Sequence, residues 1–339
     1  MITIFGKSLG IEAENPKKID ISNFPDGETI ARFFLEQPAC SINICWFYEN
    51  DAELMALAQI YQILKNNDVY NRFPKNLYIP YLPHARQDRD ATKDTCNAVA
   101  VFINILSNII QDTNTQVYTL DVHSSVSADI FESQSYNRPC PQINSYTTGI
   151  RHRFLYKNIN SSYYSYKTPE YDAIISPDKG AVNRARLWWD KKIRPKLTEQ
   201  DFKDGAVHDN NDVWDMAPNH KTFIVCSKNR DPDTGKLSDP SIDNPKHVEY
   251  LKTCNKVLIV DDIGTGFGTH IQLGNAIKRY NPNLTMDLFV SHSSFTRGKE
   301  PVLEVFNDVY TTNSLVQGWN IKSTRVTRFD CTECLPEIL

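Results

Sequence analysis

The sequence predicts an α/β protein of two domains, each a mainly parallel sheet with helices on both faces. Three observations predict it. The chain has 339 residues, which favours two domains over one. Short apolar runs that end in polar clusters alternate with segments of helical period. One run, Val257 to Val260, is apolar at all four positions and β-branched at three, as in a parallel strand buried on both faces.

Composition narrows the class. Apolar residues make up 40% of the chain, enough for two cores. The formal charge is −4, which gives no electrostatic case for nucleic acid or an anionic membrane surface. No apolar run approaches a membrane span, and MITIFGKSLGIEAE has no signal-peptide core. Of eight Cys, only Cys331 and Cys334 form a CxxC. With no second pair this does not make a zinc site, and reduced thiols in a cytoplasm are expected.

In chain order, MITIF is a first strand. Ile19 to Thr29 follows, with Pro25 and Gly27 punctuating a turn. Taken alone it is a surface hairpin; the functional reading has Phe24, Asp26 and Glu28 presented to a base or sugar. Residues 41–48 form the next strand, and Asp51 to Lys65 a helix with Leu54, Leu57, Ile60, Tyr61 and Leu64 at helical spacing. The strand 76–81 runs into Pro83-His84-Ala85-Arg86-Gln87-Asp88-Arg89-Asp90. Arg86 and Arg89 suit phosphate oxygens in fork geometry. A loop of surface ion pairs fits equally well. A helix over 97–110 leads to a strand, Val117 to Leu120, that ends in Asp121-Val122-His123-Ser124-Ser125.

Residues 132–170 are polar and Tyr-rich and contain the expected domain boundary. The strand 171–175 ends in Ser176-Pro177-Asp178-Lys179-Gly180-Ala181, before a helix over 183–190. Residues 191–220 are an insertion, best read as an elaborated surface loop, with Trp214 and His208 as alternative pocket residues. The strand 222–226 opens into Ser227-Lys228-Asn229-Arg230-Asp231-Pro232-Asp233-Thr234-Gly235-Lys236.

The central motif is KVLIVDDIGTGFGTHI, 256–271. Asp261 and Asp262 close its strand, and Gly264 to Thr269 form a Gly/Thr turn before a helix over 271–278. Ligands of open α/β sheets bind at this edge. Backbone N–H groups of Thr265, Gly266, Phe267, Gly268 and Thr269 at a helix start suit a phosphate. The two carboxylates suit a ribose diol, because they accept hydrogen bonds from hydroxyls. A Gly-rich turn alone is weak, since Gly also serves ordinary turns. A last strand, 286–291, ends at His292, and YTTNS, 310–314, follows.

PDGE, YLPHARQDRD, LDVHSS, SPDKG, SKNRDPDTGK, VDDIGTGFGT and VSHSSFTRG, in this order, resemble the motifs of phosphoribosyl-diphosphate (PRPP) synthetases. The KxRDxxTGK form resembles the branch found beside nicotinamide phosphoribosyltransferase-like genes. The resemblance implies two similar type I phosphoribosyltransferase-like domains, over 1–147 (rejoined by 315–339) and 148–314. It implies ATP contacts at Phe24, Asp26, Glu28, Arg86, Gln87, Asp88 and His123. It implies Mg²⁺ near His123 and Asp178, and transition-state cations at Lys228 and Arg230. Acceptor contacts are implied at Asp178, Asp261, Asp262, Thr265, Gly266, Phe267, Gly268 and Thr269. The implied reaction moves the β,γ-diphosphoryl group of ATP to the anomeric hydroxyl of a ribose 5-phosphate unit, and a homo-oligomer, dimer or hexamer, is implied.

Three departures matter. His84 stands where the family has Tyr. Thr265 replaces an acid. Phe267 replaces a glycine. Loss of the acid eases approach of a second phosphate, and Phe267 in an open loop would stack on a base. The reading therefore leans to ADP-ribose, on which viral members of the branch act, over ribose 5-phosphate. A non-catalytic associated subunit and a PRPP-consuming transferase are the competing readings.

Overall fold

A computed structural model describes residues 1–7, 17–35, 40–90, 92–124, 126–127, 129–130, 170–193, 223–227 and 240–331. These divide into two compact units. The first comprises the described residues up to 130 with Ser314–Val316 and Cys331; the second comprises 170–313 and Gln317–Asp330. The expected boundary at 147/148 lies outside the described residues.

Unit 1 begins with β1 (Ile2–Lys7), β2 (Lys17–Lys18) and a separate hairpin, β3 (Asp20–Asn23) and β4 (Thr29–Arg32). Then come β5 (Ser41–Trp46), α1 (Glu53–Asn66), α2 (Asp68–Asn71), β6 (Lys75–Ile79), α3 (Ala98–Ile110) and β7 (Thr115–Thr119). The sheet order is β2-β1-β5-β6-β7. β5, β6 and β7 are parallel, and β1 is antiparallel to β5. β5 and β6 are buried at every position, as strands covered on both faces must be. The helical stripe of α1 behaves as its spacing predicts. Leu57, Ile60, Tyr61 and Leu64 are fully buried, and Leu54 packs on their edge. Asn97 starts α3 by accepting a hydrogen bond from the Ala100 N–H at 3.0 Å.

Unit 2 contains β8 (Ala173–Ser176), α4 (Val182–Lys192), β9 (Phe223–Val225), α5 (Pro245–Thr253), β10 (Lys256–Gly264) and α6 (Gly268–Tyr280). β11 (Thr285–Ser293), α7 (Glu300–Val305), β12 (Val309–Thr312) and β13 (Val326–Phe329) complete it. The order is β13-β12-β11-β10-β8-β9, and every pair is parallel. Val257, Leu258, Ile259 and Val260 are 0% exposed at its centre, each contributing about 1.5–3 kcal/mol of burial.

The structure changes two expectations here. The tail was expected to rejoin unit 1 over 315–339; Ser314–Val316 and Cys331 do belong to unit 1, but between them β13 pairs with β12 from Val309↔Val326 to Thr312↔Phe329. The open edge of β12 offers it a full parallel ladder. The second change is the length of β10. It does not stop before the two aspartates but runs through them to Gly264, pairing Ile263 with His292 and Gly264 with Ser293. Among the described residues, no helix is long and apolar enough to cross a membrane.

Candidate functional site

In each unit several predicted groups lie at the carboxyl edge of the parallel strands, where strand ends leave loops to bind ligands.

In unit 1 the loop after β6 carries exposed Arg86 and Gln87. Its bend is set by His84, whose φ of 61° is left-handed. The Gln87 N–H closes the turn on the His84 carbonyl at 2.8 Å. The ring of His84 is held by Asp51, 2.9 Å from Nε2, and Tyr48 donates to the same carboxylate at 2.9 Å. The hydrogen bond to His84 holds Asp51 below the usual carboxylate range. Asp88 is buried, and both its oxygens are engaged. Arg89 Nε donates to Oδ1 at 3.1 Å, and Ser124 Oγ to Oδ2 at 2.7 Å. Burial pushes its carboxyl up, but these bonds and the charges of Arg89 and His123 bring it below normal. Asn97 Nδ2 meets the Asp88 carbonyl at 2.9 Å, and the Asn97 N–H meets Asp90 Oδ1 at 2.7 Å. Asp88 therefore braces the Arg-Gln-Asp-Arg loop against the loop holding His123. Phe24 sits at the hairpin tip, 50% exposed. Gly27, at φ 94°, closes that turn with its N–H on the Phe24 carbonyl. Asp26 accepts from the Glu28 N–H at 3.2 Å, and Glu28 is exposed.

In unit 2 Asp178 ends β8. Its Oδ1 accepts the N–H groups of Gly180 (2.9 Å) and Ala181 (3.2 Å), capping the turn before α4. Among the described residues no group of three His, Cys, Asp or Glu forms a metal centre.

The extension of β10 decides the fate of the aspartate pair. Successive strand side chains leave on opposite faces, so Asp261 and Asp262 do not stand side by side. Asp262 is buried, 4% exposed. Asp261 keeps 16% of its side-chain surface. Its Oδ2 lies 2.9 Å from His270 Nε2, and its Oδ1 accepts the Asp262 N–H at 2.9 Å. Burial raises its carboxyl, but the His270 bond and the charges of His270 and Arg184 lower it below normal. Of the two carboxylates expected to hold a diol, Asp261 is the less buried.

The Gly/Thr turn is zipped to the loop after β11. The Ser294 N–H donates to the Gly264 carbonyl at 3.2 Å, and the Thr296 N–H to the Thr265 carbonyl at 2.9 Å. Phe267 is 3% exposed, with φ 57°. Its ring packs on Phe295, centroids 4.8 Å apart. A Cβ on Gly264 would lie 2.2 Å from that ring, so glycine is needed there to admit the phenyl group. The base-stacking role expected of Phe267 is overturned: the left-handed backbone turns the ring into the core. Phe267 supplies no side-chain cap to α6, so the first-turn N–H groups of α6, which have no intrahelical acceptor, are not capped by it. Exposed Arg297 lies along this turn. Its Cδ is 3.3 Å from where a Gly266 Cβ would be, and its Nη1 3.8 Å from that of Gly268. Thr265, Gly266, Gly268 and Thr269 keep partial exposure.

Arg184, His270 and Arg297 carry no local signal in the sequence. Each matters only through a contact made by folding. Lys228 and Arg230 lie outside the described residues, as do Ser125, His208 and Trp214.

No protein-family model and no curated protein matches the chain. Among solved structures the chain is similar to phosphoribosylpyrophosphate synthetase from Mycobacterium smegmatis. The TM-score is 0.59 and the identity 15%, over 94% of this chain and 87% of that one. The likeness is one of fold: two α/β units of mainly parallel sheet, in the arrangement of elements that the motifs imply.

Proposed function

We propose that the protein is a diphosphokinase that uses ATP, as its Mg²⁺ complex, and a ribose 5-phosphate unit. The anomeric hydroxyl oxygen of the acceptor attacks the β-phosphorus of ATP. The bond from that phosphorus to the α,β-bridging oxygen breaks, AMP leaves with the electron pair, and the hydroxyl proton passes to solvent. Such transfers need positioning and charge neutralisation more than covalent chemistry.

The observation that carries this reading is the edge of unit 2. The partly exposed Asp261 carboxylate, the first turn of α6, which Phe267 leaves without a side-chain cap, and the Arg297 guanidinium gather at one strand-to-helix turn. A diol contact and a phosphate contact on one turn match a phosphorylated ribose. In unit 1, Arg86, Gln87 and His123, on loops braced by Asp88, would receive the ATP phosphates. Lys228 and Arg230 would neutralise the transition state, as the motif implies.

ADP-ribose is the acceptor proposed over free ribose 5-phosphate. Neutral Thr265 and cationic Arg297 on the turn suit a diphosphate better than a monophosphate. The support no longer includes stacking on Phe267. Incubation with ATP·Mg²⁺ and each acceptor, followed by AMP release, tests both levels. AMP with ribose 5-phosphate alone removes the capped acceptor. AMP with neither overturns the enzyme and favours a non-catalytic subunit.

A further inference from the structure

We infer that His270 is a positioning residue of the acceptor site, acting through Asp261; this rests on reading that edge as the acceptor site. Three observations combine. First, the Asp261 carboxylate is held at both oxygens, by the Asp262 N–H on Oδ1 and His270 Nε2 on Oδ2, each at 2.9 Å. It cannot turn without losing a bond, so its remaining lone pairs keep one direction. Second, the His270 side chain is only 5% exposed, and its Nδ1 is buried with no hydrogen-bond partner. No polar network beyond Asp261 holds the ring. Packing beside Phe267, 5.8 Å away between centroids, sets its plane. Donation to Asp261 requires a proton on Nε2. Third, His270 belongs to the same first turn of α6 as Gly268 and Thr269. One turn of helix therefore presents backbone N–H groups to a phosphate and, through His270, aims a carboxylate at a diol. The spacing between the two contacts is built into a single rigid element. The charge of Arg184 reaches Asp261 from α4 and favours its ionised form without replacing the directional bond.

The test uses the full-length protein and three variants, His270→Gln, His270→Asn and His270→Ala. The Gln amide nitrogen reaches the place of Nε2, whereas that of Asn reaches only the place of Nδ1. Thermal melting checks folding. Binding of ADP-ribose and of ribose 5-phosphate is measured by calorimetry, and AMP release gives KM and kcat. The expected result is roughly 10- to 100-fold weaker acceptor binding for His270→Ala and His270→Asn. The KM for ATP and kcat at saturating acceptor stay near wild type, and His270→Gln recovers most of the affinity. Wild-type binding with all three variants equally tight, or with Gln as weak as Ala, overturns the role of His270 and leaves the acceptor site standing. Wild type that binds neither compound overturns both.

Discussion

The two units solve one positioning problem by opposite means. In unit 1 the loops at the carboxyl edge are tied by polar side chains: Asp51 to His84, Asp88 to Ser124 and Arg89, Asn97 to Asp88. In unit 2 the corresponding loops are tied by packing. Phe267 and Phe295, both left-handed at φ 57° and 50°, bury their rings against each other beneath the zipped turns. A left-handed bulky residue costs roughly 1–2 kcal/mol, and burial of the ring, worth about 1.5–3 kcal/mol, offsets it. The amino edges differ too. Lys256 of β10 pairs with Asp287 at 2.9 Å. Lys75 of β6 is 0% exposed, donates to the Asn71 carbonyl at 3.0 Å, and meets no carboxylate among the described residues. Hydrogen-bonded loops depend on charge state. Packed loops depend on shape.

The largest expected effect comes from outside both braces. Lys228→Ala should lower kcat by roughly 10² to 10⁵ while ATP and acceptor still bind, the measure of a transition-state cation; near-normal turnover would refute that role. Next, Phe267→Ala should destabilise unit 2 by about 3–5 kcal/mol in denaturant melts. Phe267→Gly should cost about 1 kcal/mol less than Ala, because glycine accepts the left-handed backbone freely. An Ala variant as stable as the Gly variant would show that strain is not held there.

Asp88→Asn should act on the other side of the comparison. It keeps the shape but loses a charged acceptor, a change of about 1–3 kcal/mol. The KM for ATP should rise while the acceptor KM stays put; a rise in both would contradict a brace confined to unit 1. The smallest effect separates the lysines. Burial lowers Lys75 from 10.5 to about 8. Above the unfolded value this group costs nothing; its penalty grows as pH falls from 10.5, where the unfolded amine takes a proton that the buried one does not, and is complete below about 8. Stability should therefore rise by about 1.4 kcal/mol per pH unit between 8 and 10.5, and this slope should vanish in Lys75→Met.

Much of this site was legible in the chain, and its failures share one cause. The strand Val257–Val260, the Gly/Thr turn, Asp261 and the Arg86–Gln87 loop were all visible as local patterns. The apolar run looked like the whole strand, yet β10 continues from Val260 to Gly264 because β11 offers partners as far as Ser293. That continuation separates Asp261 from Asp262. Phe267 looked exposed because its neighbours are glycines, but its ring fills the space left by Gly264, three residues earlier. Val326–Phe329 looked like a returning tail, and only the free edge of β12 draws it into the second sheet.

By itself the sequence determined the α/β class, most of the elements and the edge at which each unit carries its polar groups. These follow from hydrophobic period and from residues adjacent in the chain. Tertiary structure alone decided which side chains support the loops. Asp88 became a brace, Phe267 a wedge, and His270 the partner of Asp261. Those roles depend on the strand register and the rotation of a neighbouring helix. Both are set by long-range pairing, which no local pattern encodes.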